Sequence, residues 1–201
     1  SLGAWISLWI SLAVMSCWRA PMRRYALASL VLVPVIAGAF LFGSGRRMRA
    51  FSMSDIGKQD RLAMWQTAIH MIKDRPILGH GVNTFMANYL TYWVGGQRQP
   101  RYAHNCYLQV AAETGLVGLV GFLALLGRMF AMLIRRLRRA RAAPEGPLLL
   151  GLFAGLLAFA VHAAVDTNFY SLRQAALFWV LTGVAIGLST HREQQGQAAR
   201  G

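Results

Sequence analysis

Five stretches of the chain are apolar over about the length of a membrane-spanning helix, which needs roughly 20 mainly apolar residues. They are Leu2–Trp18, Tyr25–Phe42, Leu116–Ile134, Leu148–Val165 and Ala175–Leu188, the last of which could begin near Leu172. None shows the 3.5-residue repeat with flanking charges that is typical of a soluble coiled coil. The pattern predicts an all-α integral membrane protein with about five transmembrane helices. Residues 1–43 hold two of them, and residues 103–190 hold three after a helix that enters the membrane.

A longer and more polar segment, residues 44–102, separates the second and third apolar stretches. Asp60 can cap a helix there, and Asp74-Arg75-Pro76 is expected to end it. The apolar positions of this helix are Leu62, Trp65, Ile69 and Ile72. A second amphipathic helix is predicted over Val82–Trp93, with Phe85, Met86 and Tyr89 on one face. Short amphipathic helices of this kind suit the membrane interface.

Composition and charge favour a membrane protein over a nucleic-acid-binding one. The 201-residue chain is 56% hydrophobic and 14% charged, and its formal net charge is +14, whereas soluble domains carry about 25% charged residues. The arginine-rich run over 135–141 and the tail over 191–201 are predicted to lie on the same side of the membrane. The positive-inside rule assigns that side to the cytoplasm. The segment 44–102 is then an external loop. Two cysteines, predicted to lie on opposite sides of the membrane, exclude a disulfide scaffold.

The first candidate site residue is His104, which lies where the external loop re-enters the membrane. Asn105, Gln109 and Glu113 follow it at four-residue spacing, so they share one helix face. Such a polar face is expected to line a cavity or the bundle interior, where Asn105 and Glu113 are predicted to contact substrate. A neutral imidazole at His104 could accept a proton from an alcohol. The alternative is an interfacial histidine bonded to a backbone carbonyl.

Two further groups of residues could complete a site at this external surface. Arg61, Arg98 and Arg101 could pair bidentately with the phosphates of a lipid diphosphate; the alternative is that they bind lipid headgroups. His162 and Asp166 are four residues apart at the external end of the fourth apolar stretch. The Asp166 carboxylate could orient His104 or remain in water.

Signals for cofactors are missing from the sequence. There is no phosphate-binding Gly-x-x-x-x-Gly-Lys loop, and the histidines lack the spacing of metal ligands. We therefore expect neither a nucleotide cofactor nor a metal.

Three ordered motifs together resemble the O-antigen ligase and polymerase family. They are Asp60-Arg61-Leu62-x-x-Trp65, then Asp74-x-Pro76-Ile77-Leu78-Gly79-His80-Gly81-x-x-x-Phe85, and His104-Asn105-x-Tyr107-Leu108-x-x-x-x-Glu113-x-Gly115-x-x-Gly118. The resemblance implies a bacterial inner-membrane glycosyltransferase with a large periplasmic loop. Such an enzyme moves a glycan from undecaprenyl diphosphate to the hydroxyl of an acceptor glycolipid or polysaccharide, without a nucleotide sugar. It also implies that His104 is a base or acceptor-site residue and that Arg61 binds the diphosphate.

The resemblance leaves several functions open. A ligase, a polysaccharide polymerase and a protein O-oligosaccharyltransferase share these motifs. Outside the family, a transporter of a polyprenyl-linked glycan would use the polar face as a path, and a non-catalytic membrane scaffold would need no such residues. Members of the family have more spans than the five predicted here, and Ser1 already lies within an apolar run. We therefore expect this chain to be the C-terminal part of a larger protein, inactive by itself.

Overall fold

The computed structural model describes residues 2–18, 28, 32, 47–95, 102–141 and 143–198, and every regular element in them is helical. The helices are α1 (Leu2–Trp18), α2 (Arg47–Asp74), α3 (Phe85–Asn88), α4 (Cys106–Arg139), α5 (Gly146–His162) and α6 (Leu172–Ala198), with a 3₁₀ turn at Asn168–Tyr170. Helix α5 contacts α1, α4 and α6, while α2 packs on α4. The all-α prediction is confirmed for these residues. The predicted second span, Tyr25–Phe42, and residues 96–101 fall outside them, apart from two isolated positions.

The bundle core forms where one face of α4 meets α5 and α6. Leu126, Met129, Leu133 and Leu137 recur at helical spacing on α4, and all are buried. They pack with apolar side chains of the two following helices: Leu149, Leu150, Phe153, Leu156, Phe178 and Ala185. Ser11 on α1 donates to the carbonyl of Ala154 on α5 at 2.8 Å. A small residue with an interhelical hydrogen bond is the kind of contact that holds helices together in lipid.

One helix in the described part of the chain, α4, is long and apolar enough to cross a membrane. Helices α1, α5 and α6 contain shorter apolar segments: Gly3–Ser16, Gly146–His162 and Leu172–Leu188. The outward side chains of Leu116, Val117, Val120 and Leu123 on α4 are exposed. An apolar outer face suits a helix whose surroundings are hydrocarbon.

Helix α4 is interrupted at Gly115, whose φ of 69° and ψ of −175° are not helical. In an uninterrupted helix the amides of residues 116 and 117 would bond to the carbonyls of residues 112 and 113. Here Leu116 N donates to Pro76 O at 2.8 Å and Val117 N to Ile77 O at 3.4 Å. The loop over 76–81 thus takes up the amides that the break releases.

The same loop also satisfies the carbonyls on the other side of the break. His80 N donates to Ala112 O at 3.1 Å, and Gly81 N donates to Glu113 O at 2.8 Å. Because all four backbone groups are paired, the break is stable without water. It fixes the loop after α2 at the start of the apolar span, and the predicted third span begins at this break.

Gly79→Ala is expected to destabilise the protein by about 2–4 kcal/mol, since it adds left-handed backbone strain and a steric overlap. Gly79 has a φ of +66°, and a Cβ there would lie 2.5 Å from the backbone carbonyl of Glu113. Gly121→Ala is the control, because a Cβ at that helical glycine meets nothing within 4 Å. The measurement is thermal unfolding of purified full-length protein in detergent. Equal melting temperatures for the two variants would contradict the docking of the loop.

Both predicted amphipathic helices are present, but their bounds and their buried faces differ in part from the prediction. Helix α2 ends at Asp74 as predicted but begins at Arg47 instead of Asp60. Its buried face is formed by Met64, Thr67, Ala68 and Met71, whereas Leu62 and Ile69 are exposed. Met64, Ala68 and Met71 pack in one cluster with Ala112 of α4.

The second predicted amphipathic helix, Val82–Trp93, is reduced to the single turn of α3. Phe85 and Tyr89 are buried as expected, but Met86 points outward. Gly115, Gly118 and Gly121 recur in α4 at a spacing that would also suit close helix packing in lipid. Gly115 makes the break, and Gly121 faces open space.

Candidate functional site

His104 lies in a tight turn directly before α4. Its φ of 49° is left-handed, which is uncommon for a residue with a side chain. The next residue, Asn105, caps the helix: its side-chain oxygen accepts from Tyr107 N at 3.0 Å and Leu108 N at 3.1 Å. The cap and the turn together hold the imidazole at the end of α4 that faces the loop.

The start of α4 is bound to the end of α5. Cys106 N donates to Ala163 O at 2.8 Å and contacts Asp166 O at 3.2 Å. The Cys106 thiol also donates to Asp166 O at 3.2 Å. These bonds bring the turn after α5 beside His104, although the two segments are about 60 residues apart in the chain.

The Asp166 carboxylate lies between two imidazoles. Its Oδ1 is 3.6 Å from His104 Nδ1, and its Oδ2 is 3.4 Å from His162 Nε2. The side chains of His104, Asp166 and His162 are 33%, 43% and 22% exposed, so substrate can reach this cluster. We call these three residues the His–Asp–His cluster.

Asp166 carries its negative charge at neutral pH. Burial alone would raise the pKa of this carboxyl. The Thr167 N–H, which donates to Oδ1 at 2.7 Å, and the two imidazoles together outweigh burial, and the pKa of Asp166 lies below its ordinary value. The cluster therefore holds an ionised acceptor beside His104.

Glu113 lies deeper, and its carboxylate is fully engaged. The residue is 1% exposed. Its two oxygens accept from Asn83 N at 2.9 Å, Phe85 N at 3.2 Å, Gln109 Nε2 at 3.2 Å and Tyr170 Oη at 2.9 Å. Burial and then the Glu113 charge raise the pKa of Tyr170, which keeps its hydroxyl protonated. Glu113 thus joins the loop, α4 and the turn after α5.

The polar face predicted for α4 is therefore filled by protein groups. Gln109 is fully buried, accepts from Ala103 N at 3.2 Å and donates to Glu113. Asn105 is used as the helix cap. In the described residues this face joins segments of the protein to each other, which disfavours the transport path that the sequence left open.

The predicted arginines are only partly described. Arg61 lies half-buried on α2, which packs against α4. Arg98 and Arg101 lie outside the described residues. The structure thus brings Asp166 and His162 to His104, and it assigns Arg61 to the helix that lies against α4.

The comparison with known protein families identifies the class of protein. A family model described as O-antigen ligase matches residues 1–123, which is more than half of the chain. The chain belongs to the O-antigen ligase family. No curated protein and no solved structure matches it. Membership makes the protein a membrane-associated, glycosyltransferase-like ligase whose substrates are in general lipid-linked glycans and polysaccharides.

The O-antigen ligase match ends within α4 and so covers only part of the cluster. His104 and Glu113 lie inside the matched segment, whereas His162 and Asp166 lie beyond residue 123. Sequence reasoning placed His162 and Asp166 together from their four-residue spacing. It missed Tyr170, because nothing in the sequence connects that hydroxyl with a carboxylate 57 residues earlier.

The arrangement of potential metal ligands also bears on the chemistry of this O-antigen ligase family member. Within the described residues, no group of three His, Cys, Asp or Glu side chains is arranged to hold a metal ion. The cluster has instead the form of an imidazole beside an ionised carboxylate, an arrangement that suits proton transfer.

Proposed function

We propose that the protein transfers a glycan from undecaprenyl diphosphate to the hydroxyl of an acceptor glycolipid or surface polysaccharide, with His104 as the general base. The observation that carries this proposal is the contact of His104 Nδ1 with the ionised Asp166 carboxylate at 3.6 Å. His104 lies at the end of α4, beside the loop that follows α2, where a lipid-linked donor and an acceptor could meet. Family membership supplies the class of reaction.

In the proposed step His104 removes a proton from the acceptor. An imidazole with its proton on Nδ1 directs that proton at Asp166 and leaves the Nε2 lone pair for the acceptor hydroxyl. The hydroxyl oxygen forms a bond to the anomeric carbon as its proton passes to Nε2. Asp166 then stabilises the imidazolium. A distance of 3.6 Å is longer than a hydrogen bond, and such contacts commonly shorten when substrate binds.

The bond that breaks joins the anomeric carbon to the diphosphate, which departs with the electron pair. Direct displacement of this kind inverts the anomeric centre. The departing charge requires cations, and Arg61, Arg98 and Arg101 are the candidates, because guanidinium groups pair bidentately with phosphate oxygens. The scheme uses neither a metal nor a nucleotide.

Asn105 and Glu113, which the sequence suggested as substrate contacts, have a different role in this proposal. Asn105 caps α4 and sets the turn that carries His104. Glu113 is enclosed by four donors. Both act as positioning residues for the base and make no contact with substrate.

Arg61→Ala is expected to reduce glycan transfer because it removes a charge-assisted contact to the diphosphate, worth about 1.5–3 kcal/mol. That corresponds to roughly 10–150-fold in the catalytic rate at subsaturating donor. Lys73→Ala is the matched control, since Lys73 lies on the same helix and is exposed. The assay is in vitro transfer by purified full-length protein with a polyprenyl-diphosphate glycan. Equal, mild losses in both variants would indicate a diffuse basic surface.

The site is proposed to face the periplasm from the bacterial inner membrane. The support is the concentration of arginines over 135–141 at the far end of α4. Cysteines introduced at Gln66 and Arg138 in whole spheroplasts test this orientation, with Cys17 and Cys106 replaced by serine. An impermeant thiol reagent is expected to label position 66 alone, and labelling of position 138 alone would reverse the topology.

A further inference from the structure

His162 has no task in the proposed proton transfer, yet it contacts the carboxylate on which that transfer depends. We infer that His162 is a positioning residue: it fixes Oδ2 of Asp166 so that Oδ1 stays directed at His104. The inference rests on the proposed function. It concerns a residue outside the segment that matches the O-antigen ligase family.

The two oxygens of Asp166 have different partners. Oδ1 accepts from Thr167 N at 2.7 Å and faces His104 Nδ1 at 3.6 Å. Oδ2 faces His162 Nε2 at 3.4 Å, across the turn that follows α5. Because the Asp166 side chain is 43% exposed, a carboxylate held at one oxygen only would be free to rotate toward water. The contact at Oδ2 restricts that rotation.

His162 is itself held in place by α1. Gly3 lies so close that a Cβ at that position would stand 3.4 Å from His162 Nδ1 and would overlap the side chain of Val165. His162 Nδ1 is buried and has no hydrogen-bond partner in the described residues. A proton on Nδ1 would therefore be a buried, unsatisfied donor. The favoured tautomer carries its proton on Nε2, where it is directed at Asp166.

The surroundings of His162 also allow substitution. The side chain lines a cavity of about 390 Å³ between α1, α5 and α6, together with small residues such as Ala4, Gly155 and Ala158. A side chain of similar size can be accommodated there without overpacking. Glutamine can place its amide N–H near the position of Nε2, whereas methionine fills the space without a donor.

The test compares His162→Gln and His162→Met in the full-length protein. His162→Met is expected to lower kcat about tenfold, because residues coupled within one hydrogen-bond network show interaction energies of that size. The KM for the donor should not change. His162→Gln is expected to stay within about threefold of wild type, because it keeps the donor to Oδ2. His70→Met is the control, since His70 is an exposed histidine on α2. Melting temperatures of all variants are measured alongside.

A double-mutant comparison separates positioning from packing. In an Asp166→Ala background, His162→Met is expected to produce no further loss, because the group through which it acts has been removed. An equal loss in both backgrounds, or no loss in either, would overturn the inference. In those cases His104→Ala would still lower transfer by about 10²–10⁴-fold. If His104→Ala itself kept near wild-type turnover, the proposed role of His104 as the base would fail instead.

Discussion

His104→Ala is expected to lower the rate of glycan transfer by about 10²–10⁴-fold, the range for loss of a general base. The imidazole of His104 can contact Asp166 through Nδ1 and at the same time offer its second nitrogen, Nε2, to the acceptor hydroxyl. Asp166 is already ionised and faces Nδ1 at 3.6 Å. Without the imidazole, the acceptor hydroxyl would have to lose its proton to water.

The expected loss at His104 is catalytic and not structural. The side chain is one-third exposed, so its removal takes away little packing. Because residue 104 has a left-handed backbone, His104→Asn is measured as well, since asparagine tolerates that conformation. Both variants should bind donor and unfold thermally as wild type does, and His70→Ala should be fully active.

The assay for His104 is in vitro transfer by purified full-length enzyme in detergent with a chelator present. Turnover near the wild-type rate in either variant would make His104 an interfacial histidine, and Asp166 would become the next candidate base. Loss of wild-type activity on addition of chelator would overturn the metal-free scheme instead.

The helices of the bundle could be predicted from the sequence because their signal is local. The apolar run over Leu2–Trp18 coincides with α1, and α6 begins at Leu172, the earlier of the two starts considered. Hydrophobicity alone decides such segments. The buried face of α2 could not be predicted in this way, because both of its faces carry apolar residues. The face with Ala68 and Met71 is the one that packs with Ala112 of α4 and with Phe85 and Tyr89.

The break at Gly115 could not be predicted because glycine is common in membrane helices and its spacing fitted close packing equally well. Its conformation depends on Pro76 and Ile77, which supply the carbonyls for the released amides. The break separates residues 106–114 from the more apolar part of α4 that follows it. The segment 106–114 carries the polar face of α4 and belongs to the site.

Within the candidate site, only short-range relations could be derived from the sequence. His162 and Asp166 are four residues apart, so helix geometry predicts their proximity, and the turn after α5 keeps it although the helix ends at His162. The sequence left open whether Asp166 orients His104 or remains in water, and the structure sets the carboxylate beside the imidazole. The partners of Glu113 could not be derived in this way, because Asn83, Phe85 and Tyr170 are 28 to 57 residues away along the chain.

Glu113→Ala is expected to destabilise the protein by about 3–5 kcal/mol, because it leaves several buried donors without an acceptor. The four donors come from the loop, from α4 and from the turn after α5. Loss of their common acceptor therefore weakens the contacts among these three segments, while the bonds of Cys106 still join the start of α4 to the turn after α5. The measurement is thermal unfolding of the purified full-length protein in detergent.

A graded series around Glu113 distinguishes this positioning role from substrate binding. Tyr170→Phe removes one of the four donors and is expected to cost about 1 kcal/mol. Glu113→Gln keeps one acceptor oxygen, so its stability should lie between those of Glu113→Ala and wild type. The fraction of Glu113→Gln that remains folded should transfer glycan with an unchanged KM for donor. If Glu113→Ala melted at the wild-type temperature but bound donor weakly, the carboxylate would contact substrate. The four hydrogen bonds would then have to be exchanged for that contact during the reaction.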